Sequence, residues 1–136
     1  MAQFIGGIIG MVIGSALGAL LGAFLVQFAT NAIAKFRPTY GTAYFASFVG
    51  GLSTNGLGFV IGFAVAASGN EISLVGYGIL MIIGFVLYSW LLGFLLKHPE
   101  TGAIGFKAGS LISLTYIGVV IAIVLVGAVL FGLIVK

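Results

Sequence analysis

Apolar residues fill the chain in four long stretches, at about residues 4–34, 39–67, 72–96 and 101–135, and polar residues gather in three short breaks between them. Each stretch exceeds the roughly 20 residues that an α-helix rising about 1.5 Å per residue needs to cross about 30 Å of hydrocarbon. None of them alternates apolar and polar residues as a half-buried strand does, and strands would leave open edges in lipid. The pattern predicts an all-α chain, a single hydrophobic helical domain over residues 1–136. It would consist of four long hydrophobic helices in the manner of a membrane protein. The first stretch fades into an amphipathic end at Thr30, Asn31 and Lys35.

The breaks carry turn chemistry. Lys35, Phe36, Arg37 and Pro38 form the first, and Pro38 suits the first turn of the helix that follows. Ser68, Gly69, Asn70 and Glu71 form the second, with Gly69 expected just past the end of one helix and Asn70 or Ser73 capping the next. Lys97, His98, Pro99 and Glu100 form the third, where Glu100 would sit at the positive end of the fourth helix. Lys35, Pro38, Gly41 and Phe45 correspond loosely to Lys97, Pro99, Gly102 and Phe106, the last three pairs at one fixed offset. Either a two-helix hairpin has been duplicated or a low-complexity sequence repeats itself by chance.

Within the apolar stretches, small residues fall in rows. Gly6, Gly10, Gly14, Gly18 and Gly22 recur at every fourth position of the first helix. Successive i+4 positions form one ridge, and a ridge without side chains is a groove that a neighbouring backbone can enter closely. The second helix has a related row: Thr42, Ala46, Gly50, Thr54, Gly58, Gly62 and Ala66. An interior glycine costs roughly 1 kcal/mol relative to alanine in aqueous helices, so a row in register points to close helix packing. The spacing leaves open whether the partner is another helix of the chain or another subunit. Gly105/Gly109, Gly118/Ala122 and Ala128/Gly132 continue the theme in the fourth helix. The third instead carries Tyr77, Met81, Phe85, Tyr88 and Trp90, bulky residues suited to core, subunit contacts or an interfacial belt.

Composition narrows the setting. The chain is 62% hydrophobic and 5% charged, against about 25% charged in a soluble domain. So few ionisable groups cannot cover an aqueous surface. There is no Cys, which removes disulfides and thiolate metal sites, and the only carboxylate side chains are Glu71 and Glu100. The first apolar stretch lacks a basic leader and runs past the length of a signal-peptide core, so it reads as a retained helix. Lys35, Arg37, Lys97 and Lys107 fall at or near the first and third breaks, which four crossings place on one side of a membrane. Glu71 stands alone in the second break and Lys136 at the far end. The positive-inside rule then predicts cytoplasmic basic loops and termini outside. In a particle that buds from the cell, the cytoplasmic face becomes the interior. Arrayed copies would there present a sequence-independent surface for DNA phosphates.

Catalytic chemistry has little to work with. His98 is the only histidine, and a lone His near Glu100 does not supply converging nucleophile, base and orienting group. Glycines spaced by four on an apolar helix are packing glycines rather than phosphate cradles. Ser53, Thr54 and Asn55 place polar groups midway along the second helix, where hydrogen bonding to a neighbouring helix or back to a carbonyl outweighs a transport path. No enzyme activity, cofactor, metal or small-molecule substrate is expected.

The whole-chain pattern of glycine row, small-residue row, four apolar helices and Lys35/Arg37 and Lys97/Lys107 loops resembles the hydrophobic major coat protein of tailed, spindle-shaped archaeal viruses. That resemblance implies an α-helical subunit inserted in the host membrane before assembly. Many copies of it would then pack into helical strands around DNA, with apolar faces able to slide as the shell changes diameter. The alternatives are a small accessory subunit of a membrane complex, docked by its glycine ridges, and a homo-oligomeric channel or holin-like pore.

Overall fold

The structure, a computed structural model, describes residues 1–69 and 71–134. Four α-helices dominate it: α1 (Ala2–Ala34), α2 (Tyr40–Ala67), α3 (Leu74–Leu95) and α4 (Gly105–Ile134). All four are long and apolar enough to cross a membrane. Apolar residues occupy every side of each helix, the distribution expected where a helix meets lipid or other helices all round.

Local chemistry sets the ends. Thr39 caps α2, its Oγ1 accepting from the Thr42 N–H at 3.2 Å. Ser73 caps α3 by accepting from the Gly76 N–H at 3.1 Å. Asn70, the other expected cap, lies outside the described residues, as does Lys136. α1 ends on Lys35, which adopts a left-handed backbone with φ 60°. α2 ends on Ser68, followed by Gly69 at φ 72°, the position a helix terminus commonly gives to glycine.

Two expectations about the connections are corrected. Pro38 does not enter the first turn of α2. It precedes the Thr39 cap, and its carbonyl accepts from Gln27 Nε2 of α1 at 2.8 Å. Nor does Glu100 sit on the positive end of α4. Lys97–His98 (β1) and Gly102–Ala103 (β2) form a small antiparallel hairpin, with Lys97 opposite Ala103 and His98 opposite Gly102. Gly102 and Gly105 take φ of 79° and 82°, so α4 begins only at Gly105 and Glu100 stays in the hairpin turn. The backbone therefore does not echo the fixed offset between the basic loops: Gly41 lies in a helix and Gly102 in a strand.

α1 packs chiefly on α2 and α3 on α4, while contacts of α2 with α3 and α1 with α4 close a ring. Tyr40 and Tyr44 of α2 donate their hydroxyls to the carbonyls of Leu20 and Ala16 on α1, at 2.9 and 3.4 Å. The core occupies the half of the bundle next to the first and third connections. Ala23, Val26 and Ala29 of α1 meet there with Ala43 and Ala46 of α2, Leu92 of α3, Leu96 just past the end of α3, and Ile112 of α4. In the opposite half α1 and α2 stay together through ring contacts of Phe4 with Phe59 and Phe63, while α4 stands away from them. Every residue of α4 from 120 to 132 is exposed.

Candidate assembly surface and basic end

The first glycine row is buried at one rung only. A methyl group at Gly22 would come within 3.1 Å of Ser47 Oγ on α2 and 3.4 Å of the Tyr116 ring on α4. At Gly6, Gly10, Gly14 and Gly18 it would meet nothing within 4 Å. Helical geometry explains the split. Four residues turn a helix by about 400°, so each rung of an i+4 row is rotated about 40° from the last. From Gly22 to Gly6 the row winds out of the bundle onto the open surface of α1.

α1 meets α2 along a different seam, displaced by one residue. Gly7 lies under the Phe59 ring, Met11 faces Gly56, and Ser15 Oγ accepts from Asn55 Nδ2 at 3.1 Å. Ala19, Ala23 and Val26 continue it into the core. Asn55 thus hydrogen-bonds to a neighbouring helix, and Thr54 Oγ1 donates back to the Gly50 carbonyl of its own helix at 2.8 Å.

The row on α2 divides in the same way. Ala46 and Gly50 are buried, Gly50 beneath the Tyr88 ring, and the Thr54 methyl group approaches Gly84 of α3. Gly58 and Gly62 face open space, and Thr42 and Ala66 are exposed. The tightest approach in the molecule joins α3 to α4. A methyl group at Gly109 would run into the Ser89 carbonyl and Gly93 backbone, and one at Gly93 into the Gly105 backbone. Gly93 stood in no sequence row. Its signal was spacing by four from Ser89, another small residue. Tyr88 fills space against Gly50, whereas Tyr77, Met81 and Trp90 are exposed.

A cleft of about 530 Å³ opens among α2, α3 and α4, bordered by Ser47, Asn55, Tyr77, Tyr88 and Tyr116. Among the described residues the core hydroxyls of Thr30, Ser89 and Ser113 have no hydrogen-bond partner, and that of Ser47 lies beside Tyr88. Each of these residues lies in the half of its helix nearer the basic loops.

At that end the two basic connections touch. The Phe36 and His98 rings meet edge to face with centroids 5.0 Å apart. Lys35, Arg37 and Lys97 are exposed around this contact, and Lys107 is exposed in the first turn of α4. Arg37 also borders a small hollow with Gln27, Asn31 and the rings of Phe24 and Phe28, so that a cation sits beside exposed aromatic surface. Glu71 lies in the connection at the opposite end, and the Glu100 N–H donates to His98 Nδ1 at 3.2 Å. Among the described residues no three His, Asp or Glu side chains converge as a metal site would require. The arrangement offers one cationic end, an apolar girdle and two partly bare helix ridges. The chain matches no model of a protein family, no curated protein and no solved structure.

Proposed function

We propose that this protein is a structural subunit that inserts into a membrane, associates with many copies of itself, and coats a DNA-containing particle with its basic end turned toward the nucleic acid. The observation that carries this reading is the open glycine row of α1 on an apolar surface, combined with four exposed cations at one end of the bundle. Bare ridges lower helix propensity and gain nothing from lipid, but they let another helix approach closely. Apolar contacts are short-ranged and non-directional, so such faces accept several packing offsets at similar energy. Lys35, Arg37, Lys97 and Lys107 supply charge without any base-reading group, which suits non-specific phosphate neutralisation. Positive-inside insertion puts these residues in the cytoplasm and both termini outside, and budding then makes the cytoplasmic side the particle interior.

Removal of detergent from purified protein, with and without duplex DNA, tests the reading by electron microscopy. Extended strands or sheets made of this chain, thickened or ordered by DNA, are the expected product. A stable monomer in mild detergent and in bilayers alike would overturn it. Co-purification from native membranes at fixed stoichiometry with larger proteins would identify an accessory subunit instead, and ion flux through loaded vesicles a pore.

A further inference from the structure

We infer that the exposed distal half of α4 (residues 120–132) from one copy seats on the open glycine row of α1 (Gly6, Gly10, Gly14, Gly18) of the next. This rests on the self-assembly reading above and specifies its contact. Each copy then gives a helix on one side and receives one on the other. Such a heterologous contact propagates as an open strand unless its rotation closes a ring.

Surface area gives the first argument. A compact chain of 13.9 kDa exposes about 6,700 Å², whereas this one exposes 8781 Å². The excess of about 2,100 Å² is what one interface would remove if each copy contributed one giving and one receiving surface, and it reaches the about 2,000 Å² at which obligate interfaces begin. Residues 120–132 and the four outer glycines contribute to it together, since both lie in the half of the bundle that has no core.

Depth and direction give the second. Gly22 already packs beside Tyr116, which fixes the level at which α1 and α4 face each other across an antiparallel pair. Stepping outward by one turn from that contact pairs Gly18 with Val120, Gly14 with Val124, Gly10 with Ala128 and Gly6 with Gly132. Two copies inserted in the same sense bring these positions to the same depth. The facing row on α4 tapers from valine to alanine to glycine as α1 continues bare. Two i+4 rows in contact give a right-handed crossing, near −40° to −50° as a rough value. The α4 of the same chain does not fill the row. It is one unbroken helix, pinned at its base by the Gly109 and Gly93 backbones, and it has left α1 by Val120.

The absence of cysteine from the chain makes disulfide trapping clean. Gly14→Cys and Val124→Cys proteins are prepared separately, mixed in detergent, reconstituted together in vesicles and oxidised. Close packing at a glycine ridge holds Cα atoms within the about 4.4–6.8 Å that a disulfide spans. The expected result is a dimer in the mixture that neither parent forms, its loss when Gly10→Leu is added to the Gly14→Cys chain, and a ladder of multimers from the doubly substituted chain. A doubly substituted chain that oxidises only within itself overturns the proposal, as does equal trapping of Gly14→Cys by Met81→Cys. Particles that assemble without trapping show that the contact is elsewhere while self-assembly stands. No trapping and no assembly removes both.

Discussion

Gly109→Ala and Gly14→Ala add the same methyl group to the same kind of helix, and the structure sets their consequences far apart. At Gly109 the new carbon meets backbone on α3, including Gly93 N at 2.8 Å and Gly93 Cα at 3.1 Å. Neither atom belongs to a side chain that can rotate away. Ordinary carbon contacts lie at about 3.5–4.0 Å, so α3 and α4 must part by roughly 0.5–1 Å, and a gap of that size forfeits a quarter to a half of each dispersion well along the seam. Leu92, Leu96 and Ile112 are fully buried beside it and lose contacts together. Helix propensity returns about 1 kcal/mol on replacing glycine. Overpacking of this kind costs about 1–3 kcal/mol where side chains can adjust, and a backbone-to-backbone clash belongs at the upper end. The net expectation is a loss of about 2 kcal/mol for Gly109→Ala, close to thirtyfold in the folding equilibrium. Gly14→Ala meets nothing within 4 Å, so the monomer gains up to about 1 kcal/mol from propensity alone. The assay is equilibrium unfolding of detergent-solubilised monomer by sodium dodecyl sulfate. It is followed by the fluorescence of Trp90, the only tryptophan, which stacks on Phe94 in α3. Equal stabilities of the two variants would refute the assignment of buried and open glycines.

Other substitutions probe the remaining features. Replacing Lys35, Arg37, Lys97 and Lys107 by Gln should flatten the salt dependence of DNA binding in neutral detergent. Four phosphate contacts per copy predict a slope near −3.6, or about 150-fold weaker binding from 50 to 200 mM salt. An unchanged slope would remove these residues from the interface. Ser113→Ala deletes a buried hydroxyl that has no partner, whose retention costs about 1–3 kcal/mol, so the variant should unfold at higher denaturant. Destabilisation would show that the hydroxyl has a partner. Gly14→Leu should leave the stability of the monomer near wild type while blocking assembly, and unaltered assembly would mean that this face meets only lipid.

The number of helices and their approximate ends were legible because both follow from length and hydropathy, which survive without knowledge of any partner. The start of α4 was misplaced by about a turn because Gly102 and Gly105 divert the backbone into a hairpin. That depends on left-handed glycine geometry rather than on apolar pattern. The gathering of Lys35, Arg37, Lys97 and Lys107 at one end follows from counting crossings. The Phe36–His98 contact that joins the loops does not. The glycine row of α1 was plain in the sequence, yet which rungs are buried was not. A row repeating every 4 residues in a helix of about 3.6 per turn cannot stay on one face, and where it enters the core depends on how the other helices rotate α1. The seam that does pack, through Ser15, Ala19 and Ala23, has the same spacing one residue along.

This winding separates two uses of one residue type. Gly22, Gly50, Gly93 and Gly109 lie where a methyl group would strike another helix, so the fold of the chain depends on them. Gly6, Gly10, Gly14, Gly18, Gly58 and Gly62 lie where it would strike nothing, and in a lone chain they only weaken the helices that carry them. A subunit selected for its own stability would replace the second set with alanine at no steric cost. Retaining bare backbone there is sensible if another helix must come close to it, and such a surface tolerates sliding because no side chain locks the register. Damage to the inner set should therefore unfold the chain, whereas damage to the outer set should leave a sound monomer that has lost its company.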